Sequence, residues 1–141
     1  MFFGRSRRIA IVVFALAVAS GAAGVALETM QEGNKAYRRA AEITGGDPHA
    51  GEEAVLRYGC GSCHTIPGII RARGLVGPPL SGFGSRIYIA GVLANNPDNL
   101  VRWIQDPPSV SPRTAMPKLG VTDGDARDIA AYLYTLTEGN W

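Results

Sequence analysis

Cys60-Gly61-Ser62-Cys63-His64 is the stretch that decides how this chain is read. Two thiols separated by two residues, with an imidazole next, form the C-x-x-C-H pattern of covalent c-type haem attachment. At that spacing both thiols reach the two vinyl groups of a haem from one turn of backbone. The following His lies on the same side, within reach of the iron. The chain contains two cysteines in all, so none is left for a disulfide or a four-cysteine metal site. A structural zinc site needs four protein ligands, and beyond Cys60, Cys63 and His64 the sequence supplies only one other histidine, His49. A thioredoxin-like pair sits near a βαβ pattern, and no strand-rich segment precedes Cys60. A buried pair of structural cysteines is the plainest alternative.

A haem held by one His needs a ligand on its other face. Of three methionines, Met1 is the first residue and Met30 lies just beyond the apolar N-terminal stretch. Met116 is the candidate, in Thr114-Ala115-Met116-Pro117. Pro112 and Pro117 bracket it, and prolines so placed exclude regular helix. A loop of that kind presents a thioether to the iron. His/Met ligation raises the haem potential and fills both axial positions, which suits electron transfer.

The length of 141 residues suits one domain. Residues 1–8 carry Arg5, Arg7 and Arg8 with no acid, and residues 9–27 carry no charge. Such a segment reads either as a membrane anchor, near the minimum of about 20 residues, or as a secretory signal with a basic start and an apolar middle. Ala17-Val18-Ala19 would serve as the cleavage site in the second case. Both readings export everything after Leu27, because the arginines stay cytoplasmic. The formal charge is +2, but without the three N-terminal arginines 11 basic residues face 12 acidic ones, a net of −1. Nucleic-acid binding is therefore not expected. Arg57, Arg71, Arg73, Arg86, Arg113 and Lys118 flank the haem motifs, and a cationic rim there would steer an acidic redox partner.

The expected organisation is an anchor or signal over 1–27, a linker or short helix over 28–46, and a folded unit over 47–141. Asp47-Pro48 is a cap followed by a first-turn proline, which predicts a helix over 48–58. Asn96-Pro97 repeats the signal for a helix ending at Asp106-Pro107-Pro108. Thr122 with Asp125 three residues on is a capping-box variant, opening a last helix to about 137. Ile129, Tyr132, Leu133 and Leu136 recur at helical spacing and should pack across the helix over 48–58. Residues 65–95 are dense in Gly and Pro, and a long loop of that kind usually wraps something functional. Ile66, Ile69, Ile70, Leu75, Val76, Leu80, Phe83 and Ile87 are its candidate packing residues. No hairpin signal is evident.

Taken in order, these parts resemble class I c-type cytochromes of bacteria over about residues 47–136. The ordered set is a first helix, Cys60 to His64, Gly77-Pro78-Pro79-Leu80, a Trp-bearing helix at Trp103, Ala115-Met116-Pro117 and a terminal helix. The resemblance implies an all-α cytochrome c fold, with three main helices and long loops wrapping one haem c, preceded here by the N-terminal apolar helix. It implies that the Pro78 carbonyl accepts the Nδ1–H of His64, that the Trp103 indole bonds a haem propionate, and that Arg86 and Tyr88 do likewise. It also places Gly51 and Ala130 near a close helix crossing. Tyr88-Ile89-Ala90-Gly91 and Ile129 to Tyr134 look like small cytochromes that accompany membrane respiratory oxidases.

The expected function is single-electron transfer in a respiratory chain at the periplasmic face of the bacterial cytoplasmic membrane. The implied partners are a quinol–cytochrome c oxidoreductase or dehydrogenase and a haem–copper terminal oxidase, with no small-molecule substrate and no enzymatic activity of its own. The first alternative is a fixed haem subunit of a membrane oxidase or dehydrogenase complex. The second is a ligand-binding sensor or peroxidase, which requires Met116 to leave the iron open.

Overall fold

The computed structural model describes residues 3–137, with side chains from Ile11 onward. Arg5, Arg7 and Arg8, which set the expected orientation, lie outside the described side chains, and residues 138–141 lie outside the description altogether. The chain divides into two compact units, Met1–Lys35 and Ala36–Trp141.

The first unit is helical throughout its described length. Helix α1 (Phe3–Thr44) contains no proline, and its apolar residues surround the helix instead of forming one stripe. Ile11, Phe14, Leu16 and Val25 are all more than 60 % exposed. A helix apolar on every side needs lipid or other helices around it. Ile11–Thr44 includes a stretch long and apolar enough to cross a membrane, which serves the anchor and signal readings equally.

The regular structure of the second unit is nearly all helical, consistent with the all-α expectation. Helix α2 (Pro48–Arg57) starts where the Asp47 carboxylate accepts the His49 N–H at 2.9 Å, with Tyr58 as its C-cap. Helix α3 (Pro97–Gln105) is capped by Asn96. A single turn, α4 (Pro107–Val110), follows under the Asp106 cap, and helix α5 (Asp123–Thr135) starts at Thr122. The signals read at these starts are local side-chain chemistry, so sequence carried them well. The last helix stops at Thr135, two residues before the expected end.

Helices α2 and α5 cross at Gly51. A methyl group there would lie 1.9 Å from the Asp128 carbonyl oxygen and 2.9 Å from Tyr132 Cβ. The opposing residues are thus Asp128 and Tyr132, and Ala130 is fully buried. Ile129, Tyr132, Leu133 and Leu136 are all buried, together with Val55 and Ala54 of α2.

Two features depart from expectation. Residues 28–44 form helix where a linker or short helix was expected, and 36–44 belong to the second unit. Tyr37, Ala40 and Thr44 fall at i, i+3 and i+7 on one face. Ala40 and Thr44 are 2 % exposed, and the Tyr37 ring lies 4.7 Å from that of His49. Arg127 donates to the Thr44 carbonyl at 3.4 Å. Residues from Ala36 on therefore pack with the second unit. The second departure is a small hairpin, β1 (Tyr88–Ile89) with β2 (Leu93–Ala94). Ala90 and Gly91 both have positive φ, 49° and 73°, and Val92 N–H bonds the Ile89 carbonyl at 3.0 Å. That is a type I′ turn, which favours Asn-Gly; Ala-Gly hides it.

Candidate haem site

The segment after α2 is a tight turn that brings Cys60 and His64 to one cavity, whose lining does not include Cys63. Gly59 takes φ 69° and turns the chain into a 3-10 turn, Cys60–Ser62. The Cys63 and His64 amides both bond the Cys60 carbonyl, at 3.2 and 3.0 Å. Cys60 and Cys63 are both partly buried and form no disulfide. Burial pushes the Cys60 thiol above its ordinary pKa.

Glycines clamp this turn against the following loop. Gly61 lies where a methyl would meet Ala72 Cβ at 2.7 Å, and Gly74 where it would meet the backbone carbonyl carbon of Cys63 at 2.4 Å. Gly74 N–H bonds Gly61 O, and Gly77 N–H bonds Cys63 O at 2.8 Å. Gly77 has a further consequence: a methyl on it would overlap the His64 ring, 2.3 Å from Cε1 and 2.6 Å from Nδ1. The imidazole thus packs on bare backbone. Its Nδ1 lies 2.7 Å from the Pro78 carbonyl oxygen, the contact that the family resemblance implied. A carbonyl only accepts, so Nδ1 carries the hydrogen and Nε2 keeps its lone pair.

Cys60, His64, Trp103 and Met116 line one cavity. It holds about 560 Å³ of atom-free space, part of it open to solvent, and its surface is almost wholly apolar. Helix α2 supplies Val55, α3 supplies Leu100 and Ile104, and α5 supplies Ile129 and Leu133. Residues 111–122 between α4 and α5 supply Met116, Leu119 and Val121. Met116 is half-buried, its N–H bonded to Thr114 Oγ1 at 3.1 Å. The Trp103 indole is buried in the cavity wall and donates to no protein group among the described residues.

The long loop divides in a way its composition did not reveal. Leu80 and Phe83 line the cavity and Ile66 and Ile69 join the core, whereas Ile70, Leu75, Val76 and Ile87 are more than 70 % exposed. Arg86 and Tyr88 do not line the cavity. The Arg86 guanidinium donates to the carbonyls of Pro79 and Ser81, and Tyr88 stands 61 % exposed on β1. Asn95 pins this region, donating to the Phe83 and Arg86 carbonyls and accepting from the Tyr134 hydroxyl at 2.9 Å. The Tyr134 hydroxyl is pushed up to about 12 by burial. Sequence reading gave no role to Gly77, Leu119 or Val121. Gly77 stood in a quoted motif, but nothing in a glycine announces which ring will rest on it.

Among the described residues no group of three or more His, Cys, Asp or Glu side chains is arranged to hold a bare metal ion. The donor set fits a haem instead: two thiols and an imidazole on one tight turn, a thioether from a separate loop, and an apolar cavity between the elements that carry them.

The chain is similar to three curated proteins named cytochrome c oxidase subunit 2. It is 36% identical to that of Alkalihalophilus pseudofirmus over 87 residues, covering 61% of this chain and 25% of the relative. It is 40% identical to that of a Bacillus species over 73 residues, covering 50% of this chain and 20% of the relative. The Bacillus subtilis protein is 36% identical over 89 residues, or 59% of this chain and 24% of the relative. No family model and no solved structure matches the chain. The chain therefore shares a stretch with cytochrome c oxidase subunit 2 while spanning about a quarter or less of each relative's length.

Proposed function

We propose that this chain is a membrane-anchored, single-haem electron-transfer component of a haem–copper terminal oxidase, with its second unit on the periplasmic side. The observation that carries it is the convergence of Cys60, His64 and Met116 on one apolar cavity. The similarity to oxidase subunit 2 favours a component of an oxidase complex over the freely moving carrier that headed the sequence-based expectations.

In this reading the fold is that of a class I c-type cytochrome. Cys60 and Cys63 would hold haem c covalently, and His64 and Met116 are the side chains that would hold its iron. When bound, the haem supplies a one-electron couple. The protein's part is to hold and shield. Pro78 fixes the His64 tautomer and ring plane through Nδ1–H, leaving Nε2 as the ligand atom. Met116 brings a neutral, soft donor that favours the reduced state. Leu80, Phe83, Leu100 and Ile104 exclude water, which keeps reorganisation small. The Trp103 N–H, in the cavity wall, is a donor available to a propionate, and Arg86, already held at two carbonyls, lends positive charge beside Phe83. Tyr88 has the weakest claim of the expected propionate contacts, because it faces solvent. Electrons reach the site from a quinol–cytochrome c oxidoreductase or another donor and leave to the oxidase.

The test is a native gel of membranes from the source organism, solubilised in mild detergent and stained for covalent haem. A haem-bearing band of this chain that migrates with the oxidase supports a complex component. A band at the mass of this chain alone assigns it to the carrier class, and absence of covalent haem rejects both.

A further inference from the structure

The loop that carries Met116 is held to the rest of the domain by little besides its apolar side chains. Residues 111–114 close back on themselves and on α4 through Ser111 N–H to Pro107 O and Thr114 N–H to Ser111 O, both at 2.9 Å. Met116 N–H is satisfied inside the loop by Thr114 Oγ1. From residue 117 to 121, no backbone hydrogen bond joins the loop to another element among the described residues. Met116, Leu119 and Val121 face the cavity. On the outer side there is, among the described residues, one polar tie, from the Lys118 ammonium to Oδ2 of Asp106.

Asp106 is placed to make that tie matter. It ends α3, whose Leu100, Trp103 and Ile104 form a wall of the cavity. Its other oxygen, Oδ1, accepts the Ser109 N–H and caps α4, while its carbonyl accepts the Ser109 hydroxyl at 2.8 Å. One carboxylate therefore joins the end of the Trp103 helix, the start of α4 and the chain two residues beyond Met116. With Pro117 limiting the backbone between them, fixing Lys118 restricts where the Met116 thioether can go.

We infer that Asp106 and Lys118 form a latch that positions Met116 as a ligand, limiting how often its thioether leaves the cavity. The inference rests on the haem reading above. Neither residue touches the cavity, so both are positioning residues. Opening of the loop is a two-state event, and an ion pair made only in the closed state shifts its population by the factor the pair is worth. For a pair this exposed, 61 % and 33 % for the two side chains, that factor is about 1.5- to fivefold.

The experiment uses oxidised holoprotein in detergent and follows, at neutral pH, the rate at which saturating imidazole replaces the methionine ligand. At saturation this rate reports departure of Met116 and not the affinity of the entering ligand. Lys118→Gln is expected to raise it about 1.5- to fivefold, and Lys118→Arg to return it to the wild-type value. High salt should accelerate the wild type, because it screens an exposed pair, and should leave Lys118→Gln unmoved. A general packing role for Lys118 would not produce that loss of salt response. Equal rates and equal salt responses for wild type and Lys118→Gln overturn the latch and leave the haem reading intact. A wild-type spectrum without methionine ligation overturns both.

Discussion

The same substitution, Gly→Ala, made in two helices of the second unit is expected to act with opposite sign. At Gly51 the new methyl would sit 1.9 Å from the Asp128 carbonyl oxygen and 2.5 Å from its carbon. Packed heavy atoms rest at about 3.5 Å, so α2 and α5 must separate by roughly 1.5 Å. The obstacle is backbone, which cannot swing aside as a side chain does. Overpacking of this kind costs about 1–3 kcal/mol, and the upper end applies to a backbone partner. Replacing glycine inside a helix returns about 0.5–1 kcal/mol, which leaves a net loss of about 2 kcal/mol. For a domain of this size 1 kcal/mol moves the melting temperature by about 4–8 °C, so Gly51→Ala should melt about 8–16 °C below wild type. At Gly124, in the first turn of α5, a methyl meets nothing within 4 Å. There Gly→Ala should gain about 0.5 kcal/mol and raise the melting temperature by about 2–4 °C. Thermal melts of the holoproteins by circular dichroism in detergent decide the matter. If Gly51→Ala melts with wild type, the tight α2–α5 crossing is wrong, and with it the account of how α5 is set beside the cavity.

Gly77→Ala should displace the His64 ring, because a methyl would overlap Cε1 and Nδ1; redox titration should show a shifted midpoint potential, and an unchanged potential would remove Gly77 from the site. Met116→Ala should lose the six-coordinate, low-spin spectrum and lower the midpoint potential sharply, read by redox titration. The Asp125 carboxyl is held below the ordinary range by hydrogen bonds from Tyr58 and Thr122, with Arg57 adding charge. A lowered carboxylate pKa contributes stability above the unfolded value of about 3.9 and loses it as pH falls through the folded value. Asp125→Asn should therefore melt below wild type at neutral pH, with the gap closing in acid below about pH 4. Tyr37→Ala removes the contact with His49 and should lower the melting temperature of the second unit, whereas an equivalent change at exposed Met30 in the first unit should not.

What was legible in the sequence was whatever depends on neighbours along the chain. Asp47-Pro48, Asn96-Pro97 and Thr122 mark helix starts because a cap is made within three residues. Ile129, Tyr132 and Leu133 reveal a face because a helix has a period. Residues 65–95 have none, so nothing distinguishes Leu80, which lines the cavity, from Leu75, which is 88 % exposed. The docked turns at 36–44 were obscured because their buried residues are Ala40 and Thr44, with Tyr37 half-buried beside them, amid charges that make the stretch look like a linker. At the site, Cys60, Cys63, His64 and Met116 stood out by chemistry and spacing. The roles of Gly77 and Asp106 arise from residues that the fold brings beside them, 13 and 12 positions away. Arg86 was singled out as a propionate donor; in the structure its Nη2 donates to the Pro79 and Ser81 carbonyls, contacts that sequence did not announce.

The central claim is that this chain carries one haem c closed on both faces by His64 and Met116. The most direct measurement is the optical spectrum of the full-length protein, matured in a host competent for haem attachment, first oxidised, then reduced, then mixed with carbon monoxide. The account predicts a covalently retained haem with low-spin spectra in both oxidation states and no immediate change on adding carbon monoxide. A prompt shift with carbon monoxide would mean an open iron, and a colourless protein would mean that Cys60 and Cys63 serve some other chemistry; either result would contradict the account.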